Sequence, residues 1–353
     1  MDRTRDPHVA DLFQRIDPAL FVSADDLKAA DRRRPHAPIR TFKDETGLTL
    51  SAISDRDFMT WIVSRLMPLE GRRIFEIGTG SGYLAYVLAQ LTGPRGLAAG
   101  CELIPQLSEA AANNPLVAAV PWLQIRHGDF TDILPGLGEF DVVIATSSMS
   151  WLHPAMLSGC RPDGGMIALP IQIRGGGDCY TIFRRNGSAL ETVDSVLSIS
   201  VPTVGNYALA PPWAEPVRKL IPDFDMDETL EIVAPNDLGH PVYGTLGLRS
   251  FLQAFEPLYA AVEIGADQRL FAHNMAFGLV EGGSFCLQHG DRAILGGAEG
   301  MALAERYTEC RRKWTEEGRL SLADYSYRLE VDPARGHSFA PAIAAGAAWW
   351  RRR

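Results

Sequence analysis

Short apolar runs alternate with amphipathic helical patterns through residues 72–172. The apolar runs predict strands at 73–77, 97–102, 123–127, 140–145 and 166–170, and helices are predicted to start near Tyr83, Pro105 and Pro154. A hairpin is predicted next, with strands at 179–185 and 190–198 and a tight turn at Asn186 and Gly187. Strands that alternate with helices in this way are typical of a parallel sheet covered by helices on both faces, which is an α/β fold.

Two helices are predicted before this region. The first has apolar residues at helical spacing, Val9, Leu12, Phe13 and Ile16. An Arg- and Pro-rich stretch follows it and predicts a linker. The second helix is predicted over 57–69, directly before the first strand of the α/β region.

The pattern changes again beyond Asn206, where several prolines break the chain. Helical patterns around 248–255 and 303–314, with strand-like runs near 277–280 and 285–288, indicate an appended α+β domain. The length of 353 residues also favours more than one domain. We therefore predict three parts: an N-terminal helix and linker at 1–42, an α/β domain at 43–205, and a C-terminal domain at 206–353.

Composition narrows the class of protein. The chain has 46% hydrophobic and 22% charged residues, as globular proteins do, and a formal net charge of −9. An acidic balance argues against general binding to nucleic acid. The five cysteines form no CxxC pair and the eight histidines show no metal-ligand spacing, so no disulfide framework or metal site is predicted. No apolar run is long enough for a bilayer and no signal peptide is evident, so we expect a cytoplasmic protein without membrane contact.

The strand at 73–77 leads into a glycine-rich loop and then a helix. Glycines at 78, 80 and 82 allow a tight turn and a close approach of a ligand to the backbone. The dinucleotide fingerprint would need another glycine at 83, where the chain has Tyr83. Glu76, just before the first glycine, suits a cationic amino group better than a pyrophosphate. A dehydrogenase is therefore the weaker alternative.

Two further acidic residues end the next two strands. Glu102 stands at about the spacing at which such folds place the carboxylate that binds ribose hydroxyls. Asp129 ends the third predicted strand. Because ligands of open α/β sheets bind outside the carboxyl ends of the strands, these acids are expected at one site.

The loop pattern E-x-G-x-G-x-G resembles motif I of the class I methyltransferases. The segment GLTLSA at 47–52, the stretch GCRPDGGMIALPIQ and Val201-Pro202-Thr203 are similar to segments of protein-L-isoaspartate O-methyltransferases, over roughly residues 43–205. This resemblance implies a Rossmann-like domain that binds S-adenosyl-L-methionine, with Asp129 at the adenine amino group. The implied cofactor-binding residues are Glu76, Gly78, Thr79, Gly80, Gly82, Tyr83, Glu102 and Asp129.

The resemblance also implies the acceptor, an aspartyl or isoaspartyl carboxylate of a peptide or protein, whose ester can collapse to a succinimide. An ionised carboxylate is already nucleophilic, so methyl transfer needs alignment and loss of water but no general base or metal. Ser51 and Thr49 are the predicted catalytic residues, which would hold the carboxylate through hydrogen bonds. Ser51 could equally be the N-cap of the following helix. The family usually has proline after T-I-S-A, whereas this chain has Ile53.

Two alternatives stay open. The C-terminal region, with a W-x-x-x-G-R element at 314–319 and a nearby Tyr325, resembles family members that tailor ribosomally made peptides. There an aspartate of a ring-constrained peptide is methylated and converted to an aspartimide. Whether the enzyme acts on isoaspartyl residues or on a ring-constrained peptide, residues 206–353 are expected to recognise the substrate. The other alternative is a non-catalytic peptide-binding module. His153, near Trp151, is a further candidate for substrate contact.

Overall fold

The structure, a computed structural model, describes residues 5–29, 38–45, 47–172, 174–175, 177–207, 214–226, 229–233, 244–264, 275–289, 292–339 and 349–352. The helices are α1 Pro7–Arg15, α2 Ala24–Ala29, α3 Arg56–Leu66, α4 Tyr83–Thr92, α5 Pro105–Ala112, α6 Pro115–Ala118, α7 Phe130–Ile133, α8 Pro154–Gly159, α9 Val217–Leu220, α10 Leu246–Phe255 and α11 Gly300–Glu316. The strands up to the hairpin are β1 Ile39–Lys43, β2 Thr49–Ile53, β3 Arg73–Ile77, β4 Leu97–Glu102, β5 Leu123–His127, β6 Val142–Ala145, β7 Ser147–Ser148, β8 Trp151–Leu152, β9 Asp163–Ile171, β10 Asp178–Asn186 and β11 Ala189–Ser198. The later strands are β12 Val201–Pro202, β13 Glu215–Pro216, β14 Leu230–Val233, β15 Tyr259–Glu263, β16 Met275–Glu281, β17 Ser284–His289, β18 Arg292–Gly296, β19 Tyr325–Glu330, β20 His337–Ser338 and β21 Trp349–Arg352.

A nine-stranded sheet forms the centre of the molecule, in the order β21-β19-β11-β10-β9-β6-β3-β4-β5. In this sheet β9, β6, β3, β4 and β5 run parallel, and β10, β11, β19 and β21 are added by antiparallel pairing. The predicted α/β fold is thereby confirmed. Strand β6 begins two residues later than predicted, because Phe140 makes only an isolated bridge to Cys160. The hairpin pairs Asn186 with Ala189, and Gly187 in its turn has φ +62°.

The connection from β3 to α4 follows from local sequence. The side chains of β3 from Ile74 onward are buried, and Gly82 takes the N-cap position of α4 with φ +81°. The predicted apolar stripe of α4 is buried against the sheet, and consists of Leu84, Val87, Leu88 and Leu91. This packing fixes the glycine-rich loop at the carboxyl end of β3.

The amino-terminal helix was predicted correctly. Asp6 caps α1 by accepting hydrogen bonds from the amides of His8 and Val9, and the apolar side of α1 packs in the same core as α4. The predicted helix at 57–69 ends at Leu66, shortly before Pro68. The linker predicted before residue 43 lies largely outside the described residues. Strand β1, at its end, was not predicted and pairs antiparallel with β2.

The C-terminal region contains a six-stranded sheet in the order β13-β15-β16-β17-β18-β14, with α10 and α11 packed against it. The predicted helices and strands of an α+β domain are present there. After α11, however, the chain returns to the central sheet, where β19 pairs with β11 and β21 pairs with β19. Leu329 and Val331 belong to the core of the central sheet. The division at residue 206 therefore remains a prediction, and residues 325–330 and 349–352 extend the central sheet.

Among the residues that the structure describes, no helix combines the length and apolar character needed to cross a bilayer. Within the same ranges, His, Cys, Asp and Glu side chains do not gather in groups of three or more that could hold a metal ion.

Candidate functional site

A large cavity of about 1210 Å³ opens at the carboxyl ends of β3, β4, β5 and β6. One side is formed by the glycine-rich loop at 76–82, which we call the cofactor loop, together with Glu102 and Asp129. The other side is formed by β1, β2 and residues 197–204. We call residues 197–204 the acceptor wall. The cavity thus brings together most of the residues predicted from the sequence, namely Thr49, Ser51, Glu76, Gly78, Thr79, Gly80, Tyr83, Glu102 and Asp129. The predicted residue Gly82 does not border it: a Cβ there would meet the core side chains of Ala111 and Ile125, at 3.2 and 3.3 Å.

Backbone hydrogen bonds tie the cofactor loop to the neighbouring strand. The amides of Gly78 and Thr79 donate to the carbonyl oxygen of Cys101, at 2.9 and 3.1 Å. The amide of Gly80 donates to Oε2 of Glu102 at 2.8 Å, and the amide of Ile104 donates to its Oε1 at 2.9 Å. Glu102 therefore holds the loop in place while its carboxylate borders the cavity.

The glycines are required where other groups approach the loop closely. A Cβ at Gly80 would lie 2.9 Å from Oγ of Ser51, and its φ of +52° also disfavours a side chain. A Cβ at Gly78 would lie 3.1 Å from Oγ1 of Thr146, whose hydroxyl donates to the Gly78 carbonyl at 2.6 Å. This distance shows that Ser51, which is predicted to hold the substrate carboxylate, lies next to the cofactor loop.

Glu76 is a buried carboxyl group with an unusual environment. It is 2% exposed, and among the described residues its Oε2 has no hydrogen-bond partner. Burial away from water, and secondly the nearby Glu102 carboxylate, raise the pKa of Glu76 to about 8. Oγ1 of the adjacent Thr79 is also buried and unpartnered within the described residues. Both atoms are suited to a polar ligand that arrives with its own hydrogen-bonding groups.

The other two acids differ in their surroundings. Burial raises the pKa of Glu102, although the amides that donate to it oppose this shift. Asp129 is half-buried and caps α7, since its Oδ1 accepts hydrogen bonds from the amide and hydroxyl of Thr131, both at 2.9 Å. Only one oxygen of Asp129 makes these bonds, so the carboxylate keeps capacity for a donor in the cavity.

Tyr83 has a clear structural role. Its hydroxyl donates to the carbonyl oxygen of Ile16 at 3.1 Å, and its ring packs against Phe13 and Phe21. This side chain thereby fixes the amino-terminal segment over α4, although Tyr83 also borders the cavity. Its predicted part in cofactor binding stays a prediction.

The predicted catalytic residues Thr49 and Ser51 lie on β2. Thr49, Ser51 and Ile53 alternate as its buried side, and all three border the cavity. The hydroxyl of Thr41 on β1 donates to Oγ of Ser51 at 2.8 Å, which leaves the Ser51 proton for another acceptor. The interpretation of Ser51 as a helix N-cap was wrong, because Asp55 caps α3 by accepting from the amide of Phe58.

Several residues at the cavity were not predicted to be part of the site. Thr41, Thr146 and Leu246 border the cavity, as does the whole acceptor wall. Strand β12 in this wall pairs in parallel with β7, and the hydroxyls of Ser147 and Thr203 are 3.0 Å apart. The V-P-T similarity at 201–203 was the only signal in the sequence for this wall, whereas Leu246 comes from the C-terminal region without any local signal.

Two other candidate residues, His153 and Trp314, make hydrogen bonds to the backbone of the protein. Nδ1 of His153 accepts a hydrogen bond from the amide of Ala155 and caps α8, and the imidazole packs edge-on against Phe130. Trp314, of the W-x-x-x-G-R element, is buried and its Nε1 donates to the carbonyl oxygen of Leu320 at 2.6 Å. That element lies at the end of α11, and its residues do not border the cavity. Its resemblance to peptide-tailoring enzymes is therefore not supported by a contact with the site.

Three features define the class of the protein. They are the parallel strands, the cofactor loop after β3, and the acidic residues Glu102 and Asp129 at the carboxyl ends of β4 and β5. This is the Rossmann-like fold of class I S-adenosylmethionine-dependent methyltransferases. The family model described as protein-L-isoaspartate(D-aspartate) O-methyltransferase (PCMT) matches residues 2–208. The chain belongs to this family.

Several relatives bear the same description. The protein-L-isoaspartate O-methyltransferase 1 of Archaeoglobus fulgidus is 31% identical over 170 residues, which are 47% of this chain and 73% of that protein. The protein-L-isoaspartate O-methyltransferase of Anaeromyxobacter dehalogenans is 28% identical over 197 residues, 55% of this chain and 88% of that protein. For the enzyme of that name from Ignicoccus hospitalis, the values are 29% identity over 132 residues, 36% of this chain and 62% of that protein. The chain thus spans less than two thirds of that relative.

A solved structure described as protein-L-isoaspartate O-methyltransferase has a TM-score of 0.54 and 19% identity to this chain. The likeness covers 94% of this chain and 94% of that one. At this identity it shows the fold alone. Since the covered part reaches beyond residue 208, the shared fold includes much of the C-terminal region.

Proposed function

We propose that this protein is an S-adenosylmethionine-dependent O-methyltransferase that esterifies an aspartyl or isoaspartyl carboxylate in a peptide or protein. The observation that carries the proposal is Glu76, whose buried Oε2 lacks a hydrogen-bond partner among the described residues. The ammonium group of the methionine moiety would supply this partner, whereas a pyrophosphate would add negative charge beside Glu76 and Glu102. This difference favours the methyl donor over a dinucleotide.

The other cofactor contacts follow from the same geometry. The backbone of Gly78 and Gly80 would approach the ligand, and within the described residues Thr79, close to Glu76 in the chain, has an unpartnered hydroxyl. Glu102 would accept hydrogen bonds from the ribose hydroxyls, and Asp129 would accept one from the adenine amino group. Bound S-adenosylmethionine supplies an electrophilic methyl group carried by a sulfonium.

Ser51 connects the cofactor side to the acceptor side. Its hydroxyl, already accepting from Thr41, would donate to the acceptor carboxylate close to the cofactor loop. Thr49, two residues earlier on the same face of β2, would add a second hydroxyl. These groups hold the carboxylate in one geometry, which is the requirement for a reaction whose nucleophile is already ionised. The short approach between Ser51 and the loop favours an enzyme over a non-catalytic peptide-binding module.

The test is methylation of peptides by the purified protein. A short peptide with one isoaspartyl residue and the same peptide with aspartate are each incubated with S-adenosylmethionine and analysed by mass spectrometry. We expect methylation of a carboxylate, and the ester should release methanol in mild alkali. A transferred methyl group that survives alkali would contradict carboxyl methylation.

A second candidate is methylation of an aspartate in a ring-constrained peptide, followed by closure to an aspartimide. Leu246 favours it, because this residue of the C-terminal region borders the cavity and would contact a bulky acceptor. Ile53, where the family usually has proline, borders the cavity as well. Efficient turnover of the linear isoaspartyl peptide, with little of a cyclic aspartyl peptide, would reject this candidate.

A further inference from the structure

Asp178, the first residue of β10, is a carboxylate that lies behind the acceptor wall and is 3% exposed. The hydroxyl of Ser148 lies 2.9 Å from both of its oxygens. The amide of Ser200 donates to its Oδ2 at 2.7 Å, and Nε2 of Gln172 donates to its Oδ1 at 3.3 Å. One buried carboxylate therefore binds three separate segments: the strand after β6, the end of β9 and the acceptor wall.

The acceptor wall is also held by the end of β11 and by Thr203, whose hydroxyl donates to the carbonyl oxygen of Ser148. Its strand β12 has two residues, Val201 and Pro202, which pair with the equally short β7. Such short strands are not stable by themselves. Ser200 stands directly before β12, so the hydrogen bond from its amide to Asp178 fixes the wall where it enters this pairing. Hydrogen bonds to a buried charge are stronger than those between neutral groups.

Helix α10 of the C-terminal region packs close to the start of β10, since a Cβ at Gly177, directly before Asp178, would lie 2.7 Å from Cδ2 of Leu246. Arg249 on α10 is 1% exposed, and although burial lowers its pKa, first Tyr259 and then the charge of Asp178 act to raise it. The opposite charges of Arg249 and Asp178 thus act on each other between α10 and the start of β10. Leu246, one turn earlier on α10, borders the cavity beside the acceptor wall.

The connection between β9 and β10 is also fastened to α10. Nε2 of Gln253 and the hydroxyl of Tyr259 donate to the carbonyl oxygen of Gly175, at 2.6 and 3.2 Å. The guanidinium of Arg174 donates to several carbonyl groups at the end of α10, including that of Pro257 at 2.9 Å. Asp178 comes directly after this connection, so the contacts between the connection and α10 also help to fix the position of its carboxylate.

We infer that Asp178 is a positioning residue through which the C-terminal region holds the acceptor wall in the shape that receives the substrate. The expected change in KM rests on the proposed function, whereas the expected change in hydrogen–deuterium exchange does not. Asp178 does not itself border the cavity, so it acts through Ser200 and Ser148. The part of the C-terminal region that matters for the acceptor is then α10.

The experiment compares Asp178→Asn and the milder Ser148→Ala with the intact protein. Asp194→Asn is the matched control, because Asp194 is a partly buried carboxylate of the same sheet whose ion pair is with Arg65 on α3. Hydrogen–deuterium exchange should become faster at 197–204 in both test variants and stay unchanged there in the control. Cofactor affinity should remain within about twofold, while KM for the acceptor peptide rises about tenfold, as expected for loss of one charge-assisted hydrogen bond.

Unchanged exchange at 197–204 and unchanged KM in both folded test variants would overturn the inference. If the intact protein methylates no acceptor while exchange responds as expected, the positioning role is supported and the proposed function fails instead. A double variant, Asp178→Asn with Arg249→Met, adds an independent measurement. Its effect on exchange should be smaller than the sum of the single effects, because both changes remove the same charge interaction, and strict additivity would argue against the coupling.

Discussion

Cofactor binding should depend on pH through Glu76. Without cofactor, the pKa of this carboxyl group is raised to about 8, so at pH 7 it is mostly protonated. A cationic ammonium beside Oε2 favours the ionised form, and binding should therefore release a proton. With a pKa of about 8, release at pH 7 amounts to about 0.9 proton per cofactor bound.

The sign and size of the effect follow directly. Affinity should be weakest at low pH and increase about tenfold per pH unit between pH 6 and 7, or about 1.4 kcal/mol, before levelling above pH 8. Glu76→Gln should remove this slope and bind more weakly than the intact protein at pH 8.5. Glu109→Gln, an exposed change on α5, is the control and should keep the slope.

Isothermal titration calorimetry in two buffers of different ionisation enthalpy measures both the affinity and the proton release. The reasoning is refuted if the intact protein releases no proton at pH 7, or if Glu76→Gln keeps the pH slope. Either result would mean that the amino group of the cofactor lies elsewhere in the cavity.

Three further changes separate the site from the scaffold. Gly80→Val should abolish measurable cofactor binding in calorimetry, because a side chain is strained at a φ of +52° and its Cβ would lie 2.9 Å from Oγ of Ser51, so the loop must move; unchanged affinity would exclude the cofactor loop as the binding site. Asp141→Asn should lower the free energy of unfolding in urea by about 1–3 kcal/mol, since this buried carboxylate accepts hydrogen bonds from two arginines and a backbone amide, and cofactor affinity should not change. Tyr83→Phe removes the hydrogen bond to Ile16 and should cost about 0.5–1.5 kcal/mol of stability with cofactor affinity intact, whereas a tenfold loss of affinity would indicate direct cofactor contact.

The cofactor half of the site could be predicted because its signals are local. Glu76 lies near the end of β3 and the loop glycines follow that strand, while Glu102 ends β4 and Asp129 comes just after β5, so the parallel order of the strands brings them together. The burial of Glu76 could not be read from the sequence, because it depends on packing by segments distant in the chain.

The acceptor half was harder to predict because distant segments form it. Ser51 was found through family resemblance, but its partner Thr41 lies on β1, which was not predicted. Asp178 carries no motif, and its partners Ser148 and Ser200 come from different connections. The return of β19 to the central sheet is likewise a pairing between remote segments, which periodicity cannot indicate.

The most direct test of the central claim is transfer of a labelled methyl group from S-adenosylmethionine to a peptide with a single isoaspartyl residue. A Ser51→Ala variant and a peptide lacking the residue serve as controls. The account predicts label on the peptide that mild alkali releases as methanol, with transfer strongly reduced by Ser51→Ala at unchanged cofactor affinity. Alkali-stable label, or no transfer to linear or cyclic aspartyl and isoaspartyl peptides by a protein that binds the cofactor, would contradict it.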